Sequence, residues 1–390
     1  MVTGTGLVEG VRRIGVLRAN ALGDFIFVLP ALEALRAAYP GAELVLLGAP
    51  WHADWLTGRP GPVDRVVVVP PTGGVRGPVP GEPDPAGQEA RFAALTRREG
   101  FDLVLQLHGG GRNSNPFVRR LGAGLTAGLR APDAPPLDRW LRYVYYQPEV
   151  VRYLEAVALV GAEPVTLTPS IGVTTADREE AAAVVGVPAA PRAVLHPGAS
   201  DSRRRWPPDR FAQIADRLAA DGFEVLVTGT PAERDVVEAV RAAARAPVRP
   251  LVGVLSLGGL AGLFADCAVV VSNDTGPVHL AAAVGTPTVG IYWIGNLINC
   301  AAGVRGRHRA LESWTVHCPV CGLDCTRDLY PDRPGGGSTC DHRESFVAEI
   351  TVREVLDAVE DLLRHARTQP ARLGTPGPVA GRPAGPVAGG

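Results

Sequence analysis

The chain has no lysine: all 39 of its Lys/Arg positions are arginine. A P-loop of the form G-x-x-x-x-G-K-[ST] is therefore excluded. No D-x-D pair occurs either, which removes the usual carboxylate handle for a divalent cation on a sugar nucleotide. The one early G-x-G, in GTGLVEG (Gly4–Gly10), follows no strand and has its third glycine misplaced, so a dinucleotide fingerprint is not supported. Nowhere do enough uncharged apolar residues run together to span a bilayer. Arg12 and Arg13 precede an apolar run as in a signal peptide, but Arg18 and Asp24 interrupt it and no clean cleavage site follows. A cytoplasmic location is expected. Charge is sparse, at 20% of residues with a net of −1, so no global field draws the chain to nucleic acid; transient contact with a membrane surface stays open.

What is present is a long, apolar chain. At 390 residues and 46% hydrophobic content it exceeds one comfortable core, and two domains are expected. The runs RRIGVLR (Arg12–Arg18), AELVLLG (Ala42–Gly48), DRVVVV (Asp64–Val69) and FDLVLQLHG (Phe101–Gly109) read as strands alternating with helical segments. A second series starts at RAVLHPGAS (Arg192–Ser200) and continues through FEVLVTG (Phe223–Gly229), CAVVVSN (Cys267–Asn273) and TPTVGIY (Thr286–Tyr292). Such alternation predicts an α/β fold with two doubly wound parallel sheets. The expected division is an N-terminal Rossmann-like domain over 1–180 and a C-terminal one over 181–366, with a cysteine-rich insertion at 314–342. Pro70–Gly87 reads as a surface loop, the stretch 170–191 as holding a linker, and 367–390 as a disordered Pro/Gly/Ala tail.

Ligands of doubly wound sheets sit at the carboxyl ends of strands, and polar knots fall there. SNDTGP ends one strand and opens a helix, so Asp274, Thr275 and Gly276 present free backbone N–H groups and a positive dipole end, a geometry suited to phosphate. His279 lies in the first turn of that helix. An ordinary helix cap with a satisfied histidine is the plainer alternative. HPGASDSRRRWPPDRF supplies Ser200 and Arg204 at a second strand-to-helix junction, where a guanidinium clamps diphosphate with charge-assisted bonds or is simply solvated. At a third, Glu233 accepts from ribose hydroxyls or offsets the helix dipole. In the first half, Asp24 follows the turn ANALGD and projects toward the interdomain cleft, as a general base or as a capping aspartate.

Three stretches together, RIGVLRANALGDFIFVLPALEALRAAYPGAELVLL, HPGASDSRRRWPPDRFAQIADRL and SNDTGPVHLAAAVGTPTVGIYW, resemble the ADP-heptose:lipopolysaccharide heptosyltransferases of glycosyltransferase family 9. The resemblance implies a GT-B fold, two Rossmann-like domains with the active site between them, 1–180 binding the acceptor and 181–366 the nucleotide sugar. It implies inverting, metal-independent transfer of a sugar, a heptose from ADP-heptose, to a glycan or glycolipid hydroxyl, with no cofactor for catalysis. It gives Asp24 the role of base. Ser200, Arg204, Asp274, Thr275, Gly276, His279 and, less directly, Glu233 would hold the donor. Relatives commonly carry lysine where this chain has Arg204. A sugar-nucleotide epimerase of the same architecture, a nucleotide-sugar-binding protein without catalysis, and transfer to a small-molecule aglycone are the alternatives.

Four of the six cysteines cluster late in the chain: Cys318, Cys321, Cys325 and Cys340. Their spacing fits a structural zinc site, an iron–sulfur cluster or free redox-active thiols, with His317 and His342 as further ligands in reserve.

Overall fold

Strands buried on both faces of a parallel sheet read as unbroken apolar runs, and the central strands here do so. The structure is a computed structural model that describes residues 6–78, 85–301, 303, 305–326 and 340–368. The 367–390 tail lies outside these residues beyond 368, as do parts of the Pro70–Gly87 loop and of the cysteine-rich stretch.

The first half runs β1 (Arg13–Leu17), α1 (Leu22–Ala38), β2 (Glu43–Gly48), α2 (Pro50–Leu56), β3 (Arg65–Val68), α3 (Pro85–Glu99), β4 (Leu103–Gln106), α4 (Ser114–Arg120), β5 (Leu125–Arg130), β6 (Arg139–Arg142) and α5 (Glu149–Ala158). The second runs α6 (Thr175–Val185), β7 (Arg192–His196), α7 (Pro208–Ala220), β8 (Glu224–Gly229), α8 (Arg234–Ala243), β9 (Arg249–Val252), α9 (Leu257–Ala265), β10 (Val269–Asn273), α10 (Gly276–Ala283), β11 (Thr288–Trp293), α11 (Ile294–Cys300), β12 (His308–Ser313) and α12 (Val352–Thr368).

The strands form two six-stranded sheets, ordered β3-β2-β1-β4-β5-β6 and β12-β11-β10-β7-β8-β9. Every pairing is parallel. This is the doubly wound arrangement expected.

Side chains alternate between faces along a strand, and the core divides accordingly. Leu44, Leu46, Leu103 and Leu105 join one cluster with α1 and α5, while Val45, Leu47 and Val104 join another with Phe92, Phe117 and Val118 of α3 and α4. In the second sheet Val194, Leu226 and Val270 share the first of these clusters, whereas Ala193, Leu195, Val225 and Val271 pack with α7 and α12. One apolar cluster therefore continues from one half into the other.

Four strands were not read from the sequence. Two of them, β6 (RWLR) and β12 (HRALES), carry charged side chains within the strand; β9 (RPLV) contains a proline, and all three lie at sheet edges, where such residues are tolerated. The fourth, β5, is interrupted by Gly128. The stretch 170–191 holds α6, started by Thr174 and Asp177 in reciprocal capping bonds. Asp177 also takes a bidentate ion pair from Arg59 at 2.7 and 2.8 Å, tying α6 to the first half.

Candidate active site

A doubly wound sheet has a switch point where successive connections leave in opposite directions, and here these lie between β1 and β4 and between β7 and β10. The polar knots occupy both. At the second, Asn273 stitches the two loops together. Its amide donates to the carbonyls of Pro197 (2.8 Å) and Gly198 (3.4 Å), and its oxygen accepts from the Trp206 N–H at 3.0 Å.

That stitching places the loop after β7 over the end of β10. Arg204 donates to Ser200 Oγ at 3.0 Å and to the Asp274 carbonyl at 3.3 Å, and its guanidinium lies 3.4 Å from the Asp274 carboxylate. Asp274 is 2% exposed. Its other partners are His279 Nε2 at 3.2 Å and the amide of Asn296 at 2.8 Å. Burial pushes this carboxyl up, but His279, Arg204 and Asn296 outweigh burial and hold it below the usual carboxylate range. Ser200, Arg204, Asp274 and His279 are thus brought into one hydrogen-bonded chain. Thr275 caps α10 by position, yet its side chain makes no capping bond, so the helix start keeps N–H groups without a side-chain acceptor.

Glu233 stands apart from that chain. Its carboxylate accepts from the N–H and hydroxyl of Thr230, both at 2.9 Å, closing the end of its own short turn (Pro231–Glu233). It also reaches under the loop after β7, where a Cβ on Gly198 would meet its carboxylate and where His196 Nε2 lies 3.9 Å away. Burial holds His196 below the ordinary histidine range against the pull of that carboxylate.

Across from α10 stands α1. A Cβ on Gly276 would lie 3.0 Å from the Leu22 Cβ, and one on Gly23 would lie 3.0 Å from the His279 ring. The rings of Phe27 and His279 meet edge-on at 4.6 Å. Two helix starts from different halves therefore abut, and close approach requires glycine on both sides. Asp24, in the first turn of α1, is beside this junction with its side chain 38% exposed. Its Oδ1 lies 3.1 Å from Arg18 and its Oδ2 accepts the Ala21 N–H at 3.3 Å.

Arg18 was not singled out from the sequence, where it only interrupts an apolar run. It is 2% exposed and donates to the carbonyls of Asp24 (3.0 Å) and Leu107 (2.7 Å) and to Glu149 Oε2 (3.3 Å), with Tyr153 under its guanidinium. Burial alone would lower its pKa; Tyr153, Asp24 and Glu149 reverse that and raise it. Arg152 and the Tyr153 hydroxyl also bond Glu149. The available signal was position, since Arg18 directly follows the carboxyl end of β1.

In the cysteine-rich stretch the residues grouped so that they could hold a metal are not quite the expected four. Cys318, Cys321, Cys340 and His342 hold their ligand atoms within 4.8 Å of one another. Cys325 is not part of this group: its buried side chain joins the second-half core, with its sulfur 3.5 Å from the Leu323 carbonyl. His342 stands in the group instead, while Cys325 follows the bridge between His317 and Asp324 and donates its N–H to Val316 O at 2.9 Å.

The family model for glycosyltransferase family 9 (heptosyltransferase) matches residues 90–297, more than half of the chain. The lipopolysaccharide heptosyltransferase 1 of Pseudomonas aeruginosa is 30% identical over 291 residues, covering 72% of this chain and 78% of that protein. The chain belongs to glycosyltransferase family 9. Among solved structures, a family 9 glycosyltransferase from Veillonella parvula superposes with a TM-score of 0.73 at 20% identity, covering 93% of this chain and 99% of that one. The ADP-heptose lps heptosyltransferase II of E. coli follows at 0.69 and 18%, covering 91% and 99%. The fold of this family 9 glycosyltransferase is accordingly GT-B. The matched stretch contains Ser200, Arg204, Glu233 and the Asp274–His279 knot and begins after Asp24. Among its described residues no helix is long and apolar enough to cross a membrane.

Proposed function

We propose that this glycosyltransferase moves a heptose from ADP-heptose to a hydroxyl of a lipopolysaccharide-core type of glycan, with inversion and without a catalytic metal. The observation that supports the reading is the abutment of α1, whose first turn carries Asp24, on α10, whose start carries the end of the Ser200–Arg204–Asp274–His279 chain. The names of the relatives support the donor and the acceptor class.

In this scheme the acceptor oxygen attacks the anomeric carbon while its proton passes to Asp24, whose Oδ2 carries only one long hydrogen bond and can accept another. The bond from that carbon to the diphosphate oxygen breaks, and the electron pair leaves on ADP. Arg204 and the uncapped start of α10 receive the charge. A guanidinium has five N–H donors, so Arg204 can hold Ser200 and Asp274 and still face phosphate. Displacement from the side opposite the leaving group inverts the configuration. Glu233 completes the donor site near the loop after β7. The thiol–imidazole cluster supplies no group to the reacting atoms and is read as a structural zinc site. A cytoplasmic location fits a nucleotide-sugar donor.

The test is nucleotide release by the purified protein from ADP-, UDP- and GDP-sugars, with and without a core oligosaccharide lacking heptose. ADP release that needs the acceptor, gives an inverted product by NMR and is indifferent to added Mg²⁺ or Mn²⁺ is expected. Release from UDP- or GDP-sugars alone, or a retained configuration, defeats the scheme.

A further inference from the structure

The ligand atoms of Cys318, Cys321, Cys340 and His342 all lie within 4.8 Å of one another, close to the size of a closed metal shell. Cys321 and Cys340 place their sulfurs 3.7 Å apart, and the Cys340 sulfur is 3.4 Å from His342 Nδ1. A disulfide requires about 2.05 Å. A tetrahedron with metal–sulfur bonds of about 2.3 Å and one metal–nitrogen bond of about 2.0 Å has edges of roughly 3.5–3.8 Å. The Cys321–Cys340 and Cys340–His342 spacings come within about 0.1 Å of those edges. Three thiolates and an imidazole leave no open position, which is the pattern of a structural site.

The backbone prepares the turn that carries the first two ligands. Cys318 N–H donates to Leu323 O at 2.8 Å, Gly322 N–H donates to Cys318 O at 2.9 Å, and Gly322 has a φ of 73° that glycine alone adopts readily. Otherwise the described residues between β12 and α12 form no helix or strand, so a cross-link there supplies order that regular hydrogen bonding does not.

The segment that follows the last ligand lies along the donor loop. Ser202 Oγ donates to Arg343 O at 3.3 Å, Phe346 N–H donates to Arg203 O at 2.7 Å, and Ser345 Oγ donates to Arg205 O at 2.6 Å. Arg203 stacks its guanidinium over the Phe346 ring at 5.7 Å, and Phe346 is buried against Trp293. These bonds grip the residues on either side of Arg204. On its other side the cysteine turn meets the first half, where Tyr146 donates to Thr326 O at 2.7 Å.

We infer that Cys318, Cys321, Cys340 and His342 bind one zinc ion that clamps residues 343–346 against the loop 202–205 and thereby fixes the direction of Arg204. The metal assignment is independent of the donor; its consequence for Arg204 rests on the donor-binding reading above.

The full-length protein, purified from zinc-containing medium, is assayed for metals and then for hydrogen exchange before and after chelation. About one zinc per chain is expected, absent from Cys321→Ser, whose exposed position spares the core. Amides of residues 202–206 and 343–347 are expected to exchange at least about tenfold faster once zinc is removed, and to recover when it is restored. Iron in place of zinc, no metal, or unchanged exchange after zinc loss overturns the inference. Where Cys321→Ser does not fold, chelator titration of the unmodified protein supplies the same comparison. ADP binding is read in parallel. If zinc is present and the loop loosens without it, yet ADP never binds, the donor reading fails and the clamp stands.

Discussion

The Asp24 carboxylate lies 3.1 Å from the guanidinium of Arg18, a cation buried at the carboxyl end of β1 and held by Leu107 O, Glu149 and Tyr153. A base on the first turn of a helix would otherwise rotate among several rotamers. The contact holds one carboxylate oxygen, while the other accepts the Ala21 N–H at 3.3 Å. Asp24→Asn keeps the size but cannot accept a proton. Its kcat is expected to fall by about 10²- to 10⁴-fold, with ADP affinity by calorimetry unchanged within about twofold. Transfer at the parent rate would remove Asp24 as the base.

Arg18 acts through Asp24 and is a positioning residue. Arg18→Met leaves Glu149 with Arg152 and Tyr153 and leaves the half-exposed Asp24 without its cation, and a loss of stability of about 1.5–3 kcal/mol in urea unfolding is expected. Arg18→Lys supplies a point charge between the same two carboxylates. It should recover the fold and most of kcat at an unchanged donor KM. A lysine variant that folds but is as slow as Asp24→Asn would show that the fork geometry, not the charge, orients the base.

Arg204 is expected to reveal itself in binding rather than in stability. Its side chain is partly exposed and its partners are a hydroxyl and a carboxylate that also has His279 and Asn296. A charged hydrogen bond to phosphate contributes about 1.5–3 kcal/mol, so Arg204→Ala should weaken ADP by roughly 10- to 150-fold. Arg204→Lys should restore part of this. Equal ADP affinity in the alanine variant would exclude Arg204 from the diphosphate site.

Acid should destabilise the protein well above the carboxylate range. His52 and His108 are pushed down to about 3 and His308 to about 4, in each case chiefly by burial. The ordinary histidine value is about 6.5. Because the folded values lie below it, the unfolded chain takes up protons first as pH falls. This stabilisation is complete above about pH 6.5 and is lost from there toward pH 4, with a slope near pH 5 of about 4 kcal/mol per unit for three histidines. Urea unfolding at pH 7, 6 and 5 measures it. Flat stability across that range would mean that the three rings are not held neutral.

The order of βα units was legible because strands covered on both faces cannot hide their apolar runs: β1, β2, β4, β7, β8, β10 and β11 all announce themselves. Edge strands need no such composition, and β6, β9 and β12 lack it, while the inner strand β5 has its apolar run broken by Gly128. The residues at the ends of strands were legible for the same reason. Once Val269–Asn273 is a strand, Asp274 stands at its carboxyl end, and Ser200, Arg204 and Asp24 follow by the same step.

Partners far apart along the chain were not legible. Arg18 meets Glu149 across 131 positions and Arg204 meets Asp274 across 70, and local pattern carries no information on which of many arginines will face which carboxylate. The same limit explains why Cys325 was expected in the metal shell and His342 was held in reserve: spacing describes reach, and the turn after β12 sets direction. Sequence periodicity thus established two wound halves and the strand ends that carry polar groups. Which of those groups touch, and that Gly23 and Gly276 let α1 and α10 close on each other, came from packing, because contact between distant segments depends on the shape of everything between them.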